Sequence, residues 1–409
     1  MFQNTKDMTM KKILTLGLLL AALLVTNCRA ERSGQETAAP PVQTAVQNVA
    51  PAPPAFDNTY DNWVTFMSGL SVGTGAYKSW EERTAWKDFR KNIDGPWPTF
   101  EKAIFEPMKK WADTDLREVR QATATLFYPF GGPDFVTACA FFPDAVTTVL
   151  MGLEPAGNLP DLEKSTPEAM AQFFQDFGSL LSDFLKRGYF VTKHMNEIYG
   201  AARVDGSLPV IAFFLKRTGH SIVDIKRVSL DAQGEWHETP YEVVKRLPRR
   251  PYGVRINYLR KGEDVRRAVY YFSCDLEDKA FTKISPFYRF CRALEGVSTY
   301  IKSAQYLLHY VDFANIRNLI LAKSAYVLED DTGIPYRYFR DQGWAIQLYG
   351  AYAKPIEDFS GVDQNDLKAV YENPASQVRP LPFHFGYRWV THVDNLLLMK
   401  RPAAAAKRP

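Results

Sequence analysis

Apolar residues recur at helical spacing through Asp57–Phe89 and Thr99–Gln121, where Trp63, Phe66, Trp86, Phe89, Ile104, Met108 and Trp111 supply the stripes. Gly95-Pro96-Trp97-Pro98 breaks the pattern between them. The strongest helical segment is Ser165–Arg187, with Phe173, Phe177, Leu180, Leu181 and Phe184 along one face. Ser165 and Glu168 have the spacing of a capping box, Pro167 suits the first turn, and Gly188 is placed to end the helix. Ser285-Pro286 opens a further helix with Phe287, Phe290, Cys291 and Leu294 on one side and Gly296 at its end. Helices are also predicted over Thr299–Tyr310, Phe313–Lys323 and Asp363–Tyr371.

Other stretches read as strands. Thr125–Phe130 and Thr147–Leu153 are apolar runs joined by a turn-rich connection holding Gly131-Gly132-Pro133-Asp134 and Pro143-Asp144. The second is almost wholly apolar and β-branched, which suits a central strand buried on both faces. Leu208–Lys216, Ile222–Leu230, Val254–Leu259 and Arg267–Cys274 are separated by short Gly-containing turns and predict antiparallel hairpins. Tyr326–Tyr352 reads as a strand, an acidic turn and a strand from Trp344 to Tyr349, and Pro380–Tyr387 as an extended segment. The sum is an α+β fold: antiparallel sheet packed with several amphipathic helices in one large domain, residues 57–399, followed by a basic tail, residues 400–409.

The N-terminus has a different composition. Lys11 and Lys12 precede the 13-residue apolar run Ile13–Val25, too short for a membrane span of about 20 residues and suited to an export signal over residues 1–27. Val25-Thr26-Asn27-Cys28 resembles the lipoprotein signal of bacteria, in which the cysteine becomes the lipidated N-terminus. Asn27 departs from the small residue usual there, so cleavage after Ala30 is the alternative. Arg29, where an Asp would imply retention at the inner membrane, makes the outer membrane the implied destination. Residues 28–56 carry five prolines without hydrophobic periodicity and act as a spacer, reaching roughly 30–85 Å.

The charge balance of 50 basic against 46 acidic residues points to neither nucleic acid nor a strongly acidic substrate. Basic residues in Lys245–Arg250 and Arg255–Arg267 fit a solvated face or edge protection; the sharper alternative is a groove for an anionic glycan or lipid headgroup. Cys139, Cys274 and Cys291 lack metal-type spacing; they are three buried thiols or, with export, one thiol and a Cys274–Cys291 bridge. No metal or cofactor is implied.

Three motifs carry candidate chemistry. Gly69-Leu70-Ser71-Val72-Gly73 matches the nucleophile-elbow pattern but lacks the preceding strand that the elbow needs. Asp331-Thr332-Gly333 matches the aspartic-protease tripeptide, yet the required second copy is absent from the sequence. A hairpin turn capped by Asp, or a cation site on Glu329, Asp330 and Asp331, reads the same residues differently. Asp134 and Glu154, each at the end of an apolar strand, are loop carboxylates that fit either a turn or a site. The candidates for catalysis are therefore Asp134, Glu154, Asp330, Asp331 and His309. Tyr128, Tyr336 and Arg337 are candidates for ligand binding, and Cys28 for lipid attachment. A pocket is predicted where the Tyr128–Asp134 loop meets the Asp330–Arg337 turn.

The segments YPFGGPDF, FFPDA, GLEPAG, DDTGIPYRYF and PLPFHFGY, in that order, resemble a family of exported bacterial proteins, many of them predicted lipoproteins. The resemblance spans roughly residues 60–390 and implies one continuous domain; it carries no activity, cofactor or catalytic residue. Three functional readings stay open: a noncatalytic envelope protein that binds a glycan, peptide or partner protein; a hydrolase acting on an envelope polymer through paired carboxylates; and a structural scaffold or assembly factor. Their shared partners are the membrane, through the N-terminal lipid, and a glycan or envelope protein.

Overall fold

The computed structural model describes residues 58–190, 195, 197–199, 204–239, 252–359, 361–388 and 393–402. The export signal, Cys28, the spacer and Lys245–Arg250 lie outside the described residues. The fold is α+β in one domain, built on a ten-stranded mixed sheet. Its strands are β1 (Thr125–Tyr128), β2 (Thr147–Gly152), β3 (His220–Leu230), β4 (Trp236–Glu238), β5 (Tyr252–Arg260), β6 (Arg266–Ser273), β7 (Val297–Ile301), β8 (Tyr326–Glu329), β9 (Ala345–Gly350) and β10 (Asn395–Lys400). Their order is β4-β3-β5-β6-β2-β1-β7-β8-β10-β9. Strands β6, β2, β1, β7 and β8 run parallel in the middle, and the flanks on both sides are antiparallel.

Both faces of the central strands are covered, and the period-two alternation sorts their side chains into two cores. Leu126, Tyr128, Leu150, Tyr271, Tyr300 and Leu328 join the core beneath the helices Asn58–Met67, Pro167–Arg187 and Leu208–Arg217. Phe127, Val149, Met151, Phe272, Ile301 and Val327 join the opposite core with the helices Pro286–Ala293 and Ala314–Lys323. Because β2 lies between β1 and β6, Val149 and Leu150 are both fully buried, as its composition requires.

Several local expectations are corrected. Leu208–Lys216 is a helix, not a strand: Pro209 occupies its first turn, and residues Leu208–Leu215 are buried on every side. An eight-residue apolar run has no periodicity to separate a buried helix from a buried strand. Thr299–Tyr310 is not a helix; β7 ends at Ile301 and a left-handed loop leads into the short 3₁₀ turn Leu307–His309. Strands β8 and β9 do not form a hairpin, since β10 lies between them and pairs antiparallel with both. Lys400 pairs with Tyr326, and the Arg401 amide donates to the Ala325 carbonyl, so the chain is held in the sheet past Met399. The helix Pro167–Arg187 is capped by Thr166, which accepts from the Ala169 amide, while Ser165 donates to the Asp161 carbonyl instead. Gly188 closes that helix in the left-handed conformation, at φ 75°. The Thr99–Gln121 stretch is broken into several helical pieces, one of them the π-turn Glu101–Phe105. Among the described residues no helix is long and apolar enough to cross a membrane.

His220, at the start of β3, is buried edge-on against Phe135 and Tyr258, with Nδ1 facing the Leu215 carbonyl at 3.1 Å. Burial, together with the charges of Arg260 and Arg267, pushes its pKa down to about 4. The unfolded chain therefore takes up a proton near pH 6.5 that the folded chain refuses until about pH 4, and stability falls as pH drops through that window. A urea-unfolding series from pH 7 to pH 4 should show His220→Gln losing less stability over the window than the parent, by up to about 3 kcal/mol at 1.4 kcal/mol per unit.

Candidate functional site

The chain leaves β1 for β2 on one side and later returns to place β7 on the other, so the β1/β7 boundary is where the strand order changes direction. In sheets with a parallel centre the loops beyond such a switch diverge and open a crevice at the carboxyl ends of the strands. Here that crevice is a cavity of about 200 Å³. It is walled by the Phe130–Asp134 segment after β1, Leu153 and Glu154 after β2, Cys274–Leu276 after β6, and Lys302–Leu307 after β7. Tyr189 and Tyr387 close one side, with ring centroids 5.1 Å apart in an edge-on arrangement.

The two loops at the switch are joined by a buried ion pair. The Lys302 ammonium, 3% exposed, donates to the Asp134 carboxylate and, at 2.9 Å, to the Gly188 carbonyl at the end of the helix Pro167–Arg187. Asp134 also accepts from the Tyr128 hydroxyl at 3.0 Å, the Thr137 hydroxyl at 2.6 Å and the Thr137 amide at 3.2 Å. Four donors therefore hold the carboxylate, three on Oδ2 and the Thr137 amide on Oδ1, and it caps the helix Phe135–Phe141. The glycines before it do not cradle a phosphate: the Gly132 amide donates to the Met151 carbonyl, and the helix end is already occupied by Asp134.

The non-glycine residues with positive φ among the described residues are Phe130 (63°), Ser303 (54°), Gln305 (52°) and Tyr306 (56°), all in the loops after β1 and β7. Each such conformation costs of the order of 1–3 kcal/mol and persists where surrounding contacts enforce it. The acidic turn after β8 does so for the loop after β7. Asp330 accepts the Ser303 amide at 3.0 Å, Thr332 Oγ1 accepts the Ala304 amide at 2.8 Å, and Asp331 accepts the Tyr306 hydroxyl. Tyr387 adds a hydroxyl donated to the Ser303 carbonyl at 2.7 Å.

The sequence candidates thus fall into three places. Tyr128, Asp134 and Glu154 line the crevice. Asp330 and Asp331 are buried behind it as supports of the β7 loop. Asp331 is held bidentately by Arg388, at 3.2 and 3.0 Å, and by the Asn395 amide group at 2.7 Å. Burial and the neighbouring Asp331 push Asp330 up to about 6, and burial holds Glu329 well above the usual carboxylate range. His309 packs edge-on against Tyr306, and burial brings it down to about 4. Tyr336 and Arg337 belong to the helix Tyr336–Arg340, where the Tyr336 amide donates to Gln364 and the Arg337 guanidinium lies over the Tyr338 ring; neither lines the crevice.

Sequence reasoning missed Lys302, Tyr189 and the strained Ser303–Tyr306 loop. The KSAQY stretch fits helical spacing, and nothing local marks the left-handed turn; the lysine became informative only once its carboxylate partner 168 residues away was in place. The other motifs sit elsewhere. Ser71 lies in a loop between helices, with no strand before it among the described residues, and donates to Glu81 at 2.6 Å. Cys139, Cys274 and Cys291 are free thiols, and burial pushes Cys139 up to about 11 and Cys274 to about 12. Among the described residues no group of three or more His, Cys, Asp or Glu side chains is arranged to hold a metal ion.

Removing one partner of the buried pair leaves the other charge unpaired, at a cost of about 3–5 kcal/mol. Asp134→Ala and Lys302→Met should each lower unfolding free energy by about that much, and the double variant should lose clearly less than their sum, as read from chemical denaturation of all four proteins.

No protein-family model, curated protein or solved structure matches the chain, so its functional reading rests on the geometry of this crevice.

Proposed function

We propose that this chain is a noncatalytic binding protein of the bacterial envelope, anchored to the outer membrane through lipidated Cys28, whose crevice takes one ring of a glycan. The observation that carries the reading is the composition of the crevice walls. Half-buried aromatic side chains, Phe130, Tyr189, Phe313 and Tyr387, stand beside the acceptors Glu154, Asp275 and Gln305. Flat apolar rings and carboxylates together suit the alternating apolar faces and hydroxyl edges of a sugar. The volume, below the roughly 300–1,000 Å³ of drug-sized sites, suits a single ring. The spacer would let the domain stand clear of the bilayer while it engages an envelope polymer.

The hydrolase reading draws support from Asp134 and Glu154 facing one crevice. It ranks second because Asp134 is 2% exposed and already held by four donors, one of them the Lys302 ammonium, whose charge opposes both protonation and attack by the carboxylate.

Screening the purified full chain against envelope saccharides should yield a bound glycan that is recovered intact. Tyr189→Ala should weaken that binding roughly two- to tenfold, the value of one aromatic contact, with little change in melting temperature. Undiminished affinity in the variant would remove the crevice from the account, and cleavage of the glycan, lost in Glu154→Gln, would favour the hydrolase instead.

A further inference from the structure

Among the described residues, the buried carboxylates around the crevice have their charge or their hydrogen bonds met from within the fold, with Glu154 the exception. Asp134 is paired with Lys302 and Asp331 with Arg388, while Asp330 accepts two backbone amides and the Thr332 hydroxyl. Glu154 is only 8% exposed and lines the cavity, yet among the described residues no lysine or arginine pairs with it. Burial raises its pKa, and among the described residues what opposes that rise comes from the amides of its own turn, at Leu153 and Glu154. The turn is built to hold the carboxylate there. Strand β2 ends in Gly152, where a Cβ would stand 2.5 Å from Glu154 Oε2, and the Tyr271 hydroxyl anchors the Glu154 carbonyl at 2.9 Å.

Among the described residues, the charged and titratable groups that face Glu154 add no counter-charge. Tyr271 from β6 and Tyr199 are phenols lifted well above their usual range by burial and by Glu154 itself. Asp275, on the loop after β6, is a second acid of the crevice, and Lys302, its cation, is committed to Asp134. A buried carboxylate without a partner is costly, and a ligand that brings the missing cation recovers that cost on binding. Aromatic walls favour a cation as well.

We infer that the ring seated in this crevice carries a primary ammonium that pairs with Glu154, so that the ligand is an amino sugar with its amine unsubstituted. This rests on the saccharide reading above. The pairing has a linked consequence. Burial holds the Glu154 carboxyl above its usual range, and a bound cation brings it down, so binding at mildly acidic pH expels a proton.

The test is calorimetric titration of the full chain with glucosamine, N-acetylglucosamine and glucose over a series from pH 7 to pH 4, in buffers of different ionisation enthalpy. Glucosamine should bind at least tenfold tighter than the other two and release protons, whereas glucose should release none. Glu154→Gln should reduce glucosamine to the affinity of glucose. Equal affinity for the three sugars, or a glucosamine preference that survives in Glu154→Gln, would overturn the inference and leave the saccharide reading standing. Binding of none of the three would overturn both. Should the variant fail to fold, proton release by the parent chain decides: glucosamine binding without it contradicts the pairing with Glu154.

Discussion

A lysine ammonium buried at the end of a central strand has to be neutralised, and much of the site follows from how Lys302 is. Its partner, Asp134, lies on the other side of the switch in strand order, so the ion pair ties the loop after β1 to the loop after β7. A second contact, to the Gly188 carbonyl, ties both to the end of the longest of the described helices. The pair spans the floor of the crevice. Its desolvation cost is offset by mutual attraction and by the three further donors on Asp134. The fixed separation of the two loops keeps a cavity open between them.

A second layer acts on the same loop from behind. The acidic turn after β8 looks like a site in the sequence because it collects carboxylates, yet its oxygens are taken up by Ser303, Thr332, Tyr306, Arg388 and Asn395. It supports the loop after β7, in which Ser303, Gln305 and Tyr306 are left-handed and Ser303 and Gln305 line the crevice. Strain held in a binding wall is pre-organisation: the ordering cost is met on folding, before any ligand arrives.

The elements that sequence made legible are those with strong local signals. Proline and glycine punctuation located the helix Pro167–Arg187 and the helix opened by Ser285-Pro286, and β-branched apolar runs located β2, β3, β5 and β6. What escaped depends on long-range pairing. Leu208–Leu215 is buried all round, which erases the periodicity that separates helix from strand. Strand β10 is recognisable only from its pairing with β8 and β9, and its insertion separates two strands that read as one hairpin. In the site, Asp134 and Glu154 could be picked out as loop carboxylates at strand ends. Their different roles could not, because Asp134 is paired with Lys302 while Glu154 has no such partner among the described residues, and that distinction belongs to tertiary contacts.

The account turns on the crevice at the β1/β7 switch being the place where a ligand sits. A crystal structure of the full chain grown with glucosamine tests this most directly. The account predicts a ring between the Phe130–Asp134 and Lys302–Leu307 loops, with its nitrogen within about 3 Å of the Glu154 carboxylate and the Asp134–Lys302 pair unbroken. A ring bound elsewhere on the molecule, with the crevice filled only by solvent, would contradict it.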